Sequence, residues 1–210
     1  GMEYGEIVSM PETERAIRTA LQSAQKLANS RVDHVIACMS GGSPRSYGLE
    51  GTGDIKTEIV DDNDIADGLS DPRGQIGKKL SVDMHMLTVK EKTIHDLAYC
   101  LKRCDLELAG VASASYASAL SSLVEDEKEL GAACIDLGGG STNLAIFWKK
   151  HMIFAETIKM GGGLVTRDIS LGLQIPLSTA ERLKTRNGGV VATGLDDREM
   201  IEIASETEDW

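Results

Sequence analysis

Residues 134–147, Cys-Ile-Asp-Leu-Gly-Gly-Gly-Ser-Thr-Asn-Leu-Ala-Ile-Phe, decide how this chain reads. A short apolar run delivers Asp136 to three consecutive glycines, and a second strand-like run begins directly after them. Gly138, Gly139 and Gly140 lack the Cβ that keeps a backbone away from a polyphosphate, so successive amide N–H groups can form an anion-binding concavity. Asp136, at the strand tip, can then act through water on a hydrated Mg2+, which prefers oxygen ligands and sheds its own waters reluctantly. No Gly-Lys-Ser/Thr follows, and the next element reads as a strand where a dinucleotide fingerprint needs a helix. What remains is a strand-turn-strand phosphate hairpin, with a tight glycine hairpin carrying a buried or capping Asp as the plain structural alternative.

The 210 residues, 41% of them hydrophobic, suffice for one large domain or two small ones with real cores. Lys and Arg number 22 against 33 Asp and Glu, and the net charge of -11 argues against a nucleic-acid surface. Cys38, Cys100, Cys104 and Cys134 have no CxxC spacing and read as buried free thiols of a reducing compartment. His34, His85, His95 and His151 are scattered singly, so no zinc site is expected. No apolar run approaches the ~18 residues of a membrane span, and no basic-then-apolar leader is present.

Along the first half, Ser9-Met10-Pro11-Glu12 reads as a capping box opening a helix over 11–29. His34–Met39 reads as a buried strand ended by Ser40-Gly41-Gly42-Ser43-Pro44. Residues 43–79 are polar and glycine-rich, with acidic Asp61-Asp62-Asn63-Asp64 and a turn at Asp71-Pro72-Arg73-Gly74, and predict a small inserted module or a partly ordered stretch. Alternation predicts a strand at 80–87; helical spacing predicts a helix over 90–104, then a strand over 106–112 and a helix over 116–123. Glu125-Asp126-Glu127-Lys128-Glu129 reads as a solvated connection.

In the second half, 132–136, 143–148 and 152–158 predict a consecutive three-stranded meander. Gly161-Gly162-Gly163 then breaks the pattern before a helix over 164–173, so two glycine loops flank one sheet. Ser178-Thr179-Ala180-Glu181 reads as a capping box for a further helix that stops at Asn187-Gly188-Gly189. Val190–Ala192 and Met200–Ile203 are strand-like with no visible partner.

With this order laid out, the chain resembles the FtsA family, the bacterial cell-division branch of the actin and heat-shock-chaperone ATPases. The resemblance rests on Asp136–Phe147, on Gly162-Gly163-Leu164-Val165-Thr166-Arg167-Asp168-Ile169, on Ala180–Gly188 and on Glu125–Gly131. It implies an α/β, actin-like (ribonuclease H-like) core with a small inserted α+β subdomain of the 1C type. The implied division is 1–39 and 88–130 for the first core subdomain, 40–87 for the insertion, 131–188 for the second core subdomain, and 189–210 for the start of a 2B-like subdomain. It further implies ATP and Mg2+ as ligands. Gly138, Gly139, Gly140, Ser141, Thr142 and Asn143 would form the second phosphate loop, Gly162 and Gly163 would lie beside the phosphates, Glu181 and Lys184 would face ribose and adenine, and Asp136 would meet Mg2+ through water. Glu181 also has a structural explanation as the fourth residue of a capping box, Lys184 as its solvent partner, and Gly161–Gly163 as a strand-to-helix turn.

The resemblance carries a function as well: self-association into filaments, tethering of the FtsZ ring to the membrane through a segment outside this chain, and recruitment of later division proteins at the cytoplasmic face of the inner membrane. Several departures qualify it. The family's first phosphate loop and second adenosine loop lie outside these residues, which implies a fragment that binds ATP poorly by itself. Between Asp64 and Asp71 the family carries a helix and a strand where only Ile65–Ser70 stand, implying a shortened 1C module or absent residues. Asn143 occupies a place where many superfamily members have a carboxylate, implying at most a weak ATPase. The competing reading is an exopolyphosphatase or guanosine-pentaphosphate phosphohydrolase, which shares Asp-x-Gly-Gly-Gly-Ser-Thr but usually places Glu next; a nucleotide-binding pilus-assembly or chaperone relative is a third.

Overall fold

The computed structural model describes residues 1–54, 74, 76–191 and 200–201. It opens with a hairpin of β1 (Met2–Glu3) and β2 (Glu6–Ile7), whose two-residue turn needs positive φ at both positions and finds it at Tyr4 (50°) and Gly5 (77°). The helix α1 (Met10–Ala28) begins at the expected place, but the Ser9 hydroxyl makes no capping bond. Instead the Ser9 carbonyl accepts from both N–H and hydroxyl of Thr13. Asn29, in the left-handed conformation (φ 48°), ends it.

The strand β3 (His34–Met39) is followed by β4 (Arg45–Asp54) and β5 (Lys79–Thr88), an antiparallel pair in continuous register from Arg45↔Thr88 to Asp54↔Lys79. The β4 strand went unanticipated because Gly48, Gly51 and Gly53 dilute its apolar alternation. The acidic run at 61–64, the turn beginning at Asp71 and Ile65–Ser70 lie outside the described residues. Next come α2 (Glu91–Arg103) and β6 (Glu107–Ser113), which pairs parallel with β3. β3, α2 and β6 thus form a βαβ unit, and the β4–β5 hairpin is spliced into its crossover. The Lys90 N–H donates to the Gly42 carbonyl at 3.0 Å and closes the base of the splice. Leu101, Cys104 and Leu106 form the core of this unit, with Ile17 and Leu21 of α1 and Val35 of β3 packed on them.

The helix α3 (Ala114–Ser122) packs on both β3 and β6 and on the next sheet. Residues 125–129, expected as a solvated connection, form the helix α4 (Glu125–Leu130). Three acids in its first turn suit the positive end of the helix dipole, and the Glu127 carboxylate accepts the Val124 N–H. After Gly131 come β7 (Ala132–Leu137), β8 (Thr142–Trp148) and β9 (His151–Ile158), antiparallel in the order β7-β8-β9, as the meander predicts. Lys149 and Lys150 both take positive φ in the β8–β9 turn; their N–H groups donate to the carbonyls of Glu129 and Lys128, so α4 holds this turn in place. Charge on one face had hidden that role, since the bonds are all main-chain.

Two helices complete the described chain: α5 (Gly162–Leu173) and α6 (Leu177–Asn187). The α6 helix starts one residue before the predicted cap, with Pro176 at the N-cap, so Ser178 caps nothing and the capping-box explanation of Glu181 falls away. Val190 and Val191 form a bend and Met200 and Ile201 no strand; the rest of that expected strand pair lies outside the described residues. No described helix is long and apolar enough to cross a membrane.

The second core lies under β8, where Asn143, Ala145 and Phe147 alternate toward α3. Ala145 is 0% and Phe147 2% exposed, and the Phe147 ring stacks on Tyr116 of α3 with centroids 6.1 Å apart. Phe147→Ala should therefore lower the unfolding free energy by ~3–5 kcal/mol, read as a shift of the urea midpoint at unchanged slope.

Candidate functional site

Sheet register brings a row of polar residues onto this apolar face. Asp136 of β7 stands directly opposite Asn143 of β8, which stands opposite Thr157 of β9. The Thr157 hydroxyl donates to Asn143 Oδ1 at 2.9 Å, which turns the amide so that Nδ2 donates to Asp136 Oδ2 at 3.2 Å. A second donor comes from outside the sheet, Ser118 Oγ of α3, at 3.0 Å from the same Oδ2. Asn143 is only 4% exposed, and a buried amide needs such partners on both ends. Sequence reasoning placed Asp136 and Asn143 but missed Ser118 and Thr157, because their roles depend on helix docking and on strand register.

Beyond Asp136 the glycine loop turns tightly. The Gly138 N–H donates to the Ser141 carbonyl at 2.9 Å, and a Cβ on Gly138 would sit 2.8 Å from that oxygen. The second glycine loop is bonded to the first: Gly162 N–H donates to Gly138 O at 3.0 Å and Gly163 N–H to Gly139 O at 2.7 Å. A Cβ on Gly161 would lie 2.5 Å from Gly138 O and 2.7 Å from Gly139 O, so only glycine permits this approach. Thr142 Oγ1 adds a bond to the Met160 carbonyl at 2.8 Å. Gly162 and Gly163, expected beside the phosphates, lie against the first loop, and their N–H groups are spent on it. Among the described residues no acceptor takes the N–H of Gly139 or Gly140, both exposed. A cavity of about 290 Å³ lies there, lined by these two glycines, Gly161, Gly163, Tyr4 and Arg167. Arg167, one turn after Gly163 on α5, supplies the cavity with a cation, and the i, i+4 spacing from the glycine was the signal for it.

Glu181 and Lys184 meet the same glycine loop from α6. Lys184 Nζ donates to Glu181 Oε2 at 2.7 Å, to Thr166 Oγ1 at 2.8 Å and to the Gly162 carbonyl at 3.1 Å. The Thr166 hydroxyl also donates to Glu181 Oε2. Lys184 first, and Thr166 after it, hold the Glu181 carboxyl below the ordinary glutamate range. All the sequence-predicted site residues therefore fall into one bonded assembly: β7–β8 with its loop, the start of α5, and one face of α6. No group of three or more His, Cys, Asp or Glu side chains converges among the described residues, so a metal here would need oxygen ligands from a bound phosphate and water.

A family model described as "Cell division protein FtsA" matches residues 133–209, which include both glycine loops and the Glu181–Lys184 helix. The cell division protein FtsA of Agrobacterium fabrum is 31% identical over 239 positions, covering 100% of this chain and 54% of the relative; that of Rhizobium meliloti is 30% identical with the same coverage. Along its whole length the chain is similar to about half of an FtsA protein. A more distant relative, FtsA of Escherichia coli K12, is 23% identical over 98% of the chain and 56% of its own length. The chain thus spans about half the length of the curated relatives it matches. The alignment to the Agrobacterium protein needs 239 positions for 210 residues, so that relative carries residues within the matched span that this chain lacks.

The α/β core is actin-like. The fold is shared with PilM in a PilM-PilN type IV pilus biogenesis complex, at TM-score 0.66 and 14% identity over 88% of this chain and 59% of the other. It is shared also with MreB5 of Spiroplasma citri, crystallised with ADP, at TM-score 0.56 and 19% identity over 92% of this chain and 46% of the other.

Two outcomes check the site's construction. Gly161→Ala should part the two glycine loops and strip the Gly162 and Gly163 amides of hydrogen-exchange protection. Because the folded-state pKa of Glu181 is depressed, its tie to Lys184 and Thr166 is present above the ordinary glutamate range and lost as pH falls through the folded-state value. A carboxyl NMR titration should place the Glu181 midpoint below that of an exposed glutamate, and Lys184→Ala should raise it.

Proposed function

We propose that this protein binds ATP with Mg2+ between its two glycine loops and works in bacterial cell division as an actin-like adaptor. The reading rests chiefly on one observation: in a chain similar to FtsA along its whole length, the Asp136–Asn143 loop, the Gly162–Gly163 turn and the Glu181–Lys184 pair are joined in one hydrogen-bonded assembly, and its two glycine loops line a common cavity. The unclaimed N–H groups of Gly139 and Gly140, with the Arg167 guanidinium, suit phosphate oxygens. Asp136 offers a single carboxylate, enough to order water on a Mg2+ held mainly by phosphates. The ion would neutralise phosphate charge. Glu181 and Lys184 sit one helix away, where a ribose and base would extend from those phosphates. ADP in the related MreB5 structure supports the nucleotide class.

Asn143 bears on what the nucleotide does. Its amide N–H faces Asp136 and its oxygen accepts from Thr157, and a neutral amide, unlike a carboxylate, is too weak a base to take a proton from water. A bound ATP would then act as a switch with slow turnover at most, which also disfavours a polyphosphate hydrolase. In the family role the protein would polymerise, tie the FtsZ ring to the cytoplasmic face of the inner membrane through a segment outside this chain, and recruit later division proteins.

Residues 1–39 and 88–130 would form one core subdomain, 131–188 the other, and 189–210 the start of a 2B-like part. The insertion at 40–87 would carry contacts to partners or to the next subunit. The Gly42–Lys90 bond supports this division, since a segment whose ends adjoin can vary without disturbing the βαβ unit beneath it.

Asp136→Ala, made in the protein expressed from its complete reading frame, should weaken Mg2+-ATP binding more than any other single change in the loop, by calorimetry; unchanged affinity would defeat the assignment. Replacing residues 43–89 by a short linker should leave ATP affinity intact and abolish filament assembly or partner recruitment in sedimentation assays. Survival of both would remove the insertion from the interaction surface.

A further inference from the structure

The Asp136 carboxylate is held asymmetrically, and the asymmetry has a direction. Ser118 Oγ and Asn143 Nδ2 both donate to Oδ2, while among the described residues Oδ1 receives no hydrogen bond. Two donors on one oxygen fix the rotation of the carboxyl group, because turning it about its terminal torsion would break both bonds at once. We infer that Ser118 is a positioning residue for the metal-nucleotide site, pinning Asp136 Oδ2 so that Oδ1 is the oxygen presented to a Mg2+-bound water. This inference rests on the ATP and Mg2+ reading given above.

Ser118 is distinctive among the four polar groups because it does not belong to the sheet. Asp136, Asn143 and Thr157 are set by strand register, and the sheet alone would leave Asp136 with one neutral amide donor. The hydroxyl arrives on α3, which packs between the β3–β6 pair and the β7–β8–β9 sheet. Ser118 is only half-buried, and its neighbour Ala119 is wholly buried against Ala145 and Phe147, so the helix face carrying it is anchored. A carboxylate that orders metal-bound water loses effectiveness when such an outer partner is removed, typically by ten- to a hundredfold in metal affinity or activity. Ser118 thereby makes the metal response depend on the docking of α3.

The test compares ATP binding with excess Mg2+ and with EDTA, by calorimetry, in the protein from its complete reading frame. Wild type should bind ATP more tightly with Mg2+. Ser118→Ala should lose about tenfold of the Mg2+-supported affinity while its affinity in EDTA stays within about twofold, and Ser118→Thr, which restores a hydroxyl, should recover the wild-type response. A merely structural role predicts equal loss in both conditions, and that result, or an unchanged Mg2+ response in Ser118→Ala, overturns the inference. Should Ser118→Ala fail to fold, Ser118→Cys retains the volume with a weaker donor and must show the same selective loss. If wild type binds ATP in neither condition, the ATP reading itself falls, an outcome separate from failure of the Ser118 variants alone.

Discussion

Two main-chain hydrogen bonds, from the Gly162 and Gly163 N–H groups to the Gly138 and Gly139 carbonyls, are the constraint on which the candidate site is built. They join the hairpin that follows β7 to the helix that follows β9. That contact requires the absence of side chains at Gly138, Gly161 and Gly163, where an added Cβ would fall 3.0 Å or less from backbone oxygen. Because α5 is fixed there, α6 can bring Lys184 Nζ to the Gly162 carbonyl and Glu181 to Thr166. The site is therefore assembled from main-chain geometry first and decorated by charged side chains second.

A polar row running through an apolar face is the other organising feature. On β8 the residues turned toward α3 are Asn143, Ala145 and Phe147, one amide beside two hydrophobic neighbours. Buried polar atoms cost free energy unless paired, and here each is paired: Thr157 to Asn143, Asn143 to Asp136, Ser118 to Asp136. No buried side-chain nitrogen or oxygen is left without a partner among the described residues. The row ends at the glycine loop. Packing of the second core and orientation of Asp136 thus share the same helix, α3, with Tyr116 serving the first and Ser118 the second.

Where sequence reading went astray, the cause is specific in each case. The charged run at 125–129 looked solvated, yet its main-chain carbonyls support the Lys149–Lys150 turn, whose positive φ values would otherwise be costly. A capping box seemed to account for Glu181, but Pro176 starts α6 early and releases that side chain toward Thr166. β4 was hidden by its glycines and becomes a strand because β5 offers it a full ladder.

The amino-acid order by itself determined the meander at 132–158, the two glycine loops, most of the helices and the resemblance to FtsA, because these are local patterns: period-two alternation, period-3.6 stripes, and glycines where a Cβ is forbidden. It also named Asp136, Asn143, Glu181 and Lys184. Only the tertiary structure decided who their partners are. Ser118 reaches Asp136 across 18 residues, Thr157 reaches Asn143 across 14, and Lys184 reaches Gly162 across 22. A hydrogen bond between groups so far apart in sequence depends on strand register and helix docking together, and no spacing along a single chain segment encodes either.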